Sequence, residues 1–188
     1  MNTQILLLVN GWAGKNFLLD NAMIFSARYL IYIVFIIAGG CVAYLIYTHQ
    51  RRSVLYVGAT LLLDFIFLKA AATVYAQFFV DHRPFIDHHL TQLIPHAAGH
   101  SFPSDHVTAT IAIAMGLLLF TPFRKWGAFV LVAALLIGFA RVFCGVHYPI
   151  DIAGAILTGI LGAGVIYAIS RFIIIPPAAD SYQSHPAE

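Results

Sequence analysis

Five apolar runs, each close to the length needed to cross a bilayer, leave this chain few ways to fold. They cover approximately residues 27–47, 54–80, 103–120, 126–143 and 150–172. Inside hydrocarbon every backbone N–H and C=O must find its partner within the protein, so uninterrupted runs of this length become helices. The composition agrees. The chain is 61% hydrophobic and only 10% charged, where a soluble domain carries about 25% charged residues. At 188 residues the runs and their connections take up nearly the whole chain, which predicts an all-α fold. That fold is a polytopic membrane helix bundle of about five transmembrane helices, forming one membrane-embedded domain over residues 1–175. The polar, Pro- and Ala-containing tail 176–188 is expected to be disordered. Met1 to Phe25 is too broken by Asn10, Lys15, Asn16 and Asp20 to span. It reads as an N-terminal interfacial helix with Trp12 at headgroup level. Cys41 and Cys144 make no disulfide framework, and a net charge of +2 gives no reason to expect a nucleic-acid partner.

Orientation follows from basic residues. Arg51, Arg52, Arg124, Lys125 and Arg171 all fall at one set of span ends, and the positive-inside rule assigns that set to the cytoplasm. The opposite set carries two polar stretches, which would then share the outer face.

The first is Asp81 to His106, DHRPFIDHHLTQLIPHAAGHSFPSDH, which holds six of the nine histidines together with Arg83, three carboxylates and Ser104. Ser104, followed by Asp105 and His106, starts the third apolar run. A serine there either caps the helix with its hydroxyl or joins the unpaired N–H groups of the helix end in holding an anion. Arg83 precedes Pro84 and so favours an extended backbone just beyond the second run. It and Arg141 can each present a planar fork of donors to phosphate oxygens, or snorkel to lipid headgroups. The second stretch is Arg141 to Asp151, RVFCGVHYPID. Here Asp151 follows His147 by four residues, with Pro149 suited to the first turn of a helix. A carboxylate on one ring nitrogen fixes the imidazole tautomer and frees the other nitrogen as nucleophile or base. An acid inside a membrane segment is costly and usually functional. His96 and His100 have a spacing of four that could hold a metal on a helix, but no HExxH or cysteine set accompanies them. His88 and His89 read as polar loop residues. Asp64 and Lys69, five residues apart in the second run, are poorly spaced to pair on one helix.

Taken together, Arg83-Pro84, Pro103-Ser104-Asp105-His106 and Arg141…His147…Asp151 resemble the three-part signature of the type 2 phosphatidic acid phosphatase superfamily. Within it, the histidine-rich loop, SFPSDH and RVFCGVHYPID look most like the bacitracin-resistance undecaprenyl-diphosphatases. The resemblance implies a metal-independent and cofactor-free enzyme of the bacterial cytoplasmic membrane. It would act on a polyprenyl diphosphate lipid at the outer face of the bilayer, recycle the cell-wall lipid carrier and confer bacitracin resistance. It further implies His147 as the nucleophile that forms a phosphohistidine, Asp151 as its orienting carboxylate, and His106 as the acid for the leaving group. Arg83, Arg141, Ser104 and the Asp105 N–H would bind the phosphoryl oxygens. The superfamily's lysine, seven residues before the Arg-Pro, is Ala76 here. Lys69 stands a further two helical turns back, about 10 Å away, and is not expected to replace it. The competing readings are a related phosphatase or phosphotransferase acting on phosphatidylglycerophosphate, phosphatidate or lipid A, and a non-catalytic lipid- or metal-binding membrane protein.

Overall fold

A computed structural model of the chain describes residues 1–79 and 82–172; the predicted polar tail lies outside the described residues. Eight helices are found there: α1 (Asn2–Asn10), α2 (Phe17–Arg28), α3 (Leu30–Tyr47), α4 (Arg51–Phe78), α5 (Pro84–Asp87), α6 (Asp105–Phe120), α7 (Arg124–Phe143) and α8 (Pro149–Phe172). Among the described residues there is no strand.

The N-terminal segment forms two short helices where one was expected. Asn16 makes the break, because its side chain accepts from the N–H groups of Leu18 and Leu19 and so starts a new helix at Phe17. Four helices, α3, α4, α7 and α8, are long and apolar enough to cross a membrane. The third predicted span is α6, which has 16 residues and hence a length near 24 Å, below the ~30 Å of a hydrocarbon core. It need not meet lipid along its length. It packs against α3, α4, α7 and α8, and Val107, Ile111, Ala114 and Leu117 along it are fully buried.

With lipid outside, no hydrophobic force pulls one membrane helix onto another, and close approach of backbones at small residues takes over. Gly159 on α8 illustrates this: a Cβ added there would lie 2.5 Å from Ile111 of α6. One at Gly138 on α7 would meet Ile152 of α8 at 2.6 Å. These contacts draw α6, α7 and α8 together so that the C-terminal end of α7 and the N-terminal ends of α6 and α8 converge. The basic residues lie at the far end. Arg52 and Arg124 line one shallow cleft there, at the opposite end of the bundle from the two polar stretches.

Candidate active site

The turn after α7 places His147. Gly145, with φ of 75°, ends α7 in the left-handed conformation that glycine adopts without steric cost. The Gly145 N–H donates to Val142 O, and the Val146 N–H donates to Arg141 O. This is the Schellman pattern of a helix C-terminus, and it turns the chain so that His147 points inward, 2% exposed. Pro149 then opens α8, and Asp151 in its first turn reaches back to the Tyr148 N–H at 2.8 Å, the carboxylate half of a capping box.

Asp151 and His147 are both buried, and their side chains meet as the spacing of four predicts. His147 Nδ1 lies 3.2 Å from Asp151 Oδ2. The other ring nitrogen faces two guanidinium groups, Arg83 Nη1 at 3.2 Å and Arg141 Nη2 at 3.3 Å. Arginine can only donate, so Nε2 must be the acceptor and Nδ1 carries the proton that Asp151 receives. Burial, and next to it the charges of Arg141 and Arg83, hold the His147 imidazole well below its ordinary pKa. The ring is therefore neutral, with the Nε2 lone pair directed between two cations.

Neither arginine snorkels to lipid. Arg141 is 3% exposed, and its Nη1 donates to Ala27 O at 3.1 Å. Arg83 is half-buried, extended before Pro84 as anticipated, and also donates to Val146 O at 3.1 Å. Ser104 occupies the N-cap position of α6, but its hydroxyl makes no capping bond. Fully buried, its Oγ has no hydrogen-bond partner, while its N–H donates to Asp151 O at 3.2 Å and ties α6 to α8. Asp105 and half-buried His106 form the first turn of α6. No hydrogen bond joins His106 to His147.

The sequence gives no sign of one neighbour of the pair, Ser101, and offers the other, His96, only as a metal-ligand candidate with His100. Ser101 Oγ donates to Asp151 Oδ2 at 2.5 Å and lies 3.5 Å from His147 Nδ1. The His96 ring packs edge-on against His147 with centroids 6.2 Å apart, and its pKa is lowered by burial and then by Arg83. His88 stands against Tyr148 instead. Among the described residues no three His, Cys, Asp or Glu side chains gather in a metal-ligand cluster. Beside Arg83 a cavity of about 490 Å³ is lined by Lys69, Ala76, His100, Phe102 and Asp105. A second, of about 250 Å³, lies between α4 and α6 and shares Lys69 and Asp105 with the first. Lys69 thus stands on the same cavity wall as Ala76, two turns along α4, and the distance that set it aside does not remove it from the cavity.

A helical membrane bundle with a histidine–carboxylate pair, two arginines and a helix N-terminus at one end defines a class of proteins built to handle phosphate groups. The chain belongs to the PAP2 superfamily, whose family model matches residues 28–174. It is 35% identical to undecaprenyl-diphosphatase BcrC of Bacillus subtilis over 86% of this chain and 80% of that protein. It is 30% identical to the bacitracin transport permease protein BcrC of Bacillus licheniformis over 87% and 77% of the two chains. The crystal structure of Aquifex aeolicus LpxE superposes with a TM-score of 0.66 at 21% identity, covering 89% of this chain and 94% of that one. That likeness concerns the fold. The chain is a multi-pass membrane protein.

Proposed function

We propose that this protein hydrolyses undecaprenyl diphosphate, or a closely similar polyprenyl diphosphate, to the monophosphate and inorganic phosphate. The observation that carries the reading is the environment of His147 Nε2, an imidazole nitrogen set between Arg83 and Arg141 with Asp151 on the opposite nitrogen. A site that merely bound a lipid phosphate has no need of a tautomer-fixed imidazole. The naming of the Bacillus subtilis relative supports the diphosphate as substrate.

In this mechanism His147 Nε2 attacks the terminal phosphorus in line with the bridging oxygen, and the P–O bond to the lipid monophosphate breaks. Arg83, Arg141, the Ser104 hydroxyl and the Asp105 N–H bind the three equatorial oxygens, where the transition state concentrates its charge. Asp151 stabilises the positive charge that grows on the ring. His106 donates a proton to the departing phosphate, then removes one from the water that attacks the phosphohistidine, releasing inorganic phosphate and restoring Nε2. In-line transfer demands that the phosphoryl group lie between nucleophile and acid, which accords with the absence of a direct His106–His147 bond. The prenyl chain would leave through the apolar cavity bordered by Leu61, Phe65 and Leu68.

Ala76 favours the diphosphate. A phosphate monoester departs more readily than an alkoxide, so the missing lysine matters less for a diphosphate than for a phosphatidate-type monoester. With the cytoplasm at the Arg52 and Arg124 end, the site opens to the periplasm or cell exterior, where the released monophosphate re-enters the lipid-carrier cycle and expression raises tolerance of bacitracin. The test is phosphate release by purified enzyme from a panel of lipid phosphates in one detergent. A polyprenyl diphosphate is expected to show the highest kcat/KM, and Ala76→Lys to shift the ratio toward phosphatidate. A wild-type preference for phosphatidate would refute the substrate assignment.

A further inference from the structure

The family match begins at residue 28, and α1 lies wholly before it. Yet α1 touches both helices that flank the turn bearing His147, α7 and α8. At its C-terminal end Asn10 is 4% exposed. Its Nδ2 donates to Phe143 O at 2.8 Å and to Thr91 O at 2.9 Å, and its Oδ1 accepts from the Thr91 N–H at 3.0 Å. The amide therefore pairs with the Thr91 backbone as a neighbouring strand would, and with its remaining donor it holds the last residue of α7. Four residues beyond Phe143 is His147. The join is close. A Cβ on Gly145, the residue that turns the chain toward His147, would lie 3.2 Å from both Asn10 Nδ2 and Thr91 O. The Leu93 N–H adds a bond to Cys144 O at 3.3 Å. At the other end of α1, Asn2 Oδ1 accepts from the Ile150 N–H at 3.1 Å, next to Asp151. Leu6, midway between them, is fully buried.

We propose that α1 is a strap across the His147–Asp151 turn and that Asn10 is its principal positioning residue, fixing the 82–104 loop and the α7 terminus in one register. Only an amide side chain supplies two donors and an acceptor at this point. Removing it leaves two buried carbonyls and an N–H to find new partners, which the backbone achieves by moving. The kinetic part of this proposal rests on the phosphohistidine reading above.

The decisive comparison uses full-length Asn10→Ala and the isosteric Asn10→Asp, which keeps the acceptor for Thr91 but loses both donations. Phosphoenzyme formation is followed by rapid quench and normalised to the enzyme that finally becomes labelled. Hydrogen–deuterium exchange is recorded in parallel. The per-site rate is expected to fall about 10- to 100-fold, the effect of a reacting group displaced by ~1 Å. The fall should be alike for a lipid diphosphate and a small aryl phosphate, since the strap touches neither. Exchange should accelerate over residues 90–93 and 143–147 and stay unchanged in α3 and α4. A normal per-site rate with fewer active molecules, unchanged exchange, or failure of both variants to fold would each overturn the proposal, because none of them leaves Asn10 a positioning role. Absence of label from wild-type His147 would instead refute the phosphohistidine reading, while the exchange comparison would still report on the strap.

Discussion

In the proposed mechanism His147 gathers the chemistry because its two nitrogens face opposite kinds of group, a carboxylate on one side and two cations on the other. The same field has a consequence for pH dependence. With its pKa held well below the usual value by burial and by Arg141 and Arg83, the imidazole stays unprotonated as pH falls from 7.5 to 6.5, where an ordinary histidine would be losing its nucleophile. Phosphoenzyme formation from an aryl phosphate, corrected for ionisation of the substrate, should therefore be flat across that interval. A fall centred near 6.5 would contradict the account. A second prediction separates nucleophile from acid. His106→Ala should still form phosphoenzyme from the aryl phosphate, whose leaving group needs no proton, but lose about 10²- to 10⁴-fold on the lipid diphosphate. Equal losses on the two substrates would count against His106 as the acid.

At the scale of single elements, what could be read from the sequence follows how local each contact is. His147 and Asp151 are four residues apart on one helical start, and Arg83 and Arg141 are polar groups at span ends, so composition and spacing disclose them. Gly145 carried a signal that could have been used, since a glycine just past an apolar run marks a helix end. Ser101 carried none, and His96 and Asn10 carried only signals for other roles, a spacing of four with His100 and a polar break in an apolar run. Their partners are 50, 51 and 133 residues away, beyond the reach of any local pattern. Of the two roles the sequence leaves open to Ser104, the capping one is not taken up: its N–H donates to Asp151 O, and its buried Oγ has no hydrogen-bond partner. Asp64 is a side chain that the sequence leaves unplaced and for which α8 makes room without supplying a hydrogen bond. Its carboxylate, 1% exposed and without a hydrogen-bond partner, lies against the backbone of α8 at Gly162, where an added Cβ would stand 1.8 Å from Oδ1. Gly162→Ala should thus destabilise the bundle by about 1–3 kcal/mol, and Asp64→Ala in the same chain should recover most of that loss. Thermal unfolding in detergent measures both, and additive effects of the two substitutions would exclude the contact.

For the whole molecule, the bundle separates two ends with different tasks. One carries Arg51, Arg52, Arg124, Lys125 and Arg171; the other carries every residue assigned to phosphate. The positive-inside rule then makes a topological prediction that owes nothing to the chemistry. In intact cells lacking Cys41 and Cys144, a single cysteine at position 90 should react with an impermeant thiol reagent and one at position 124 should not. The reverse pattern would turn the site toward the cytoplasm. The helical-bundle outline was legible because hydrocarbon dictates helix length, and four of the five apolar runs form helices long enough to cross a membrane; that the third, α6, is enclosed by other helices instead of meeting lipid along its length was not.

The central claim, phosphoryl transfer through His147 from a diphosphate lipid, is tested most directly by rapid-quench trapping with polyprenyl diphosphate labelled in its terminal phosphate. Acid-labile, alkali-stable label should appear on His147 before inorganic phosphate accumulates, and should vanish in His147→Ala together with turnover. Turnover that persists in His147→Ala, or phosphate release from the wild type with no label on the protein at any time, would contradict it.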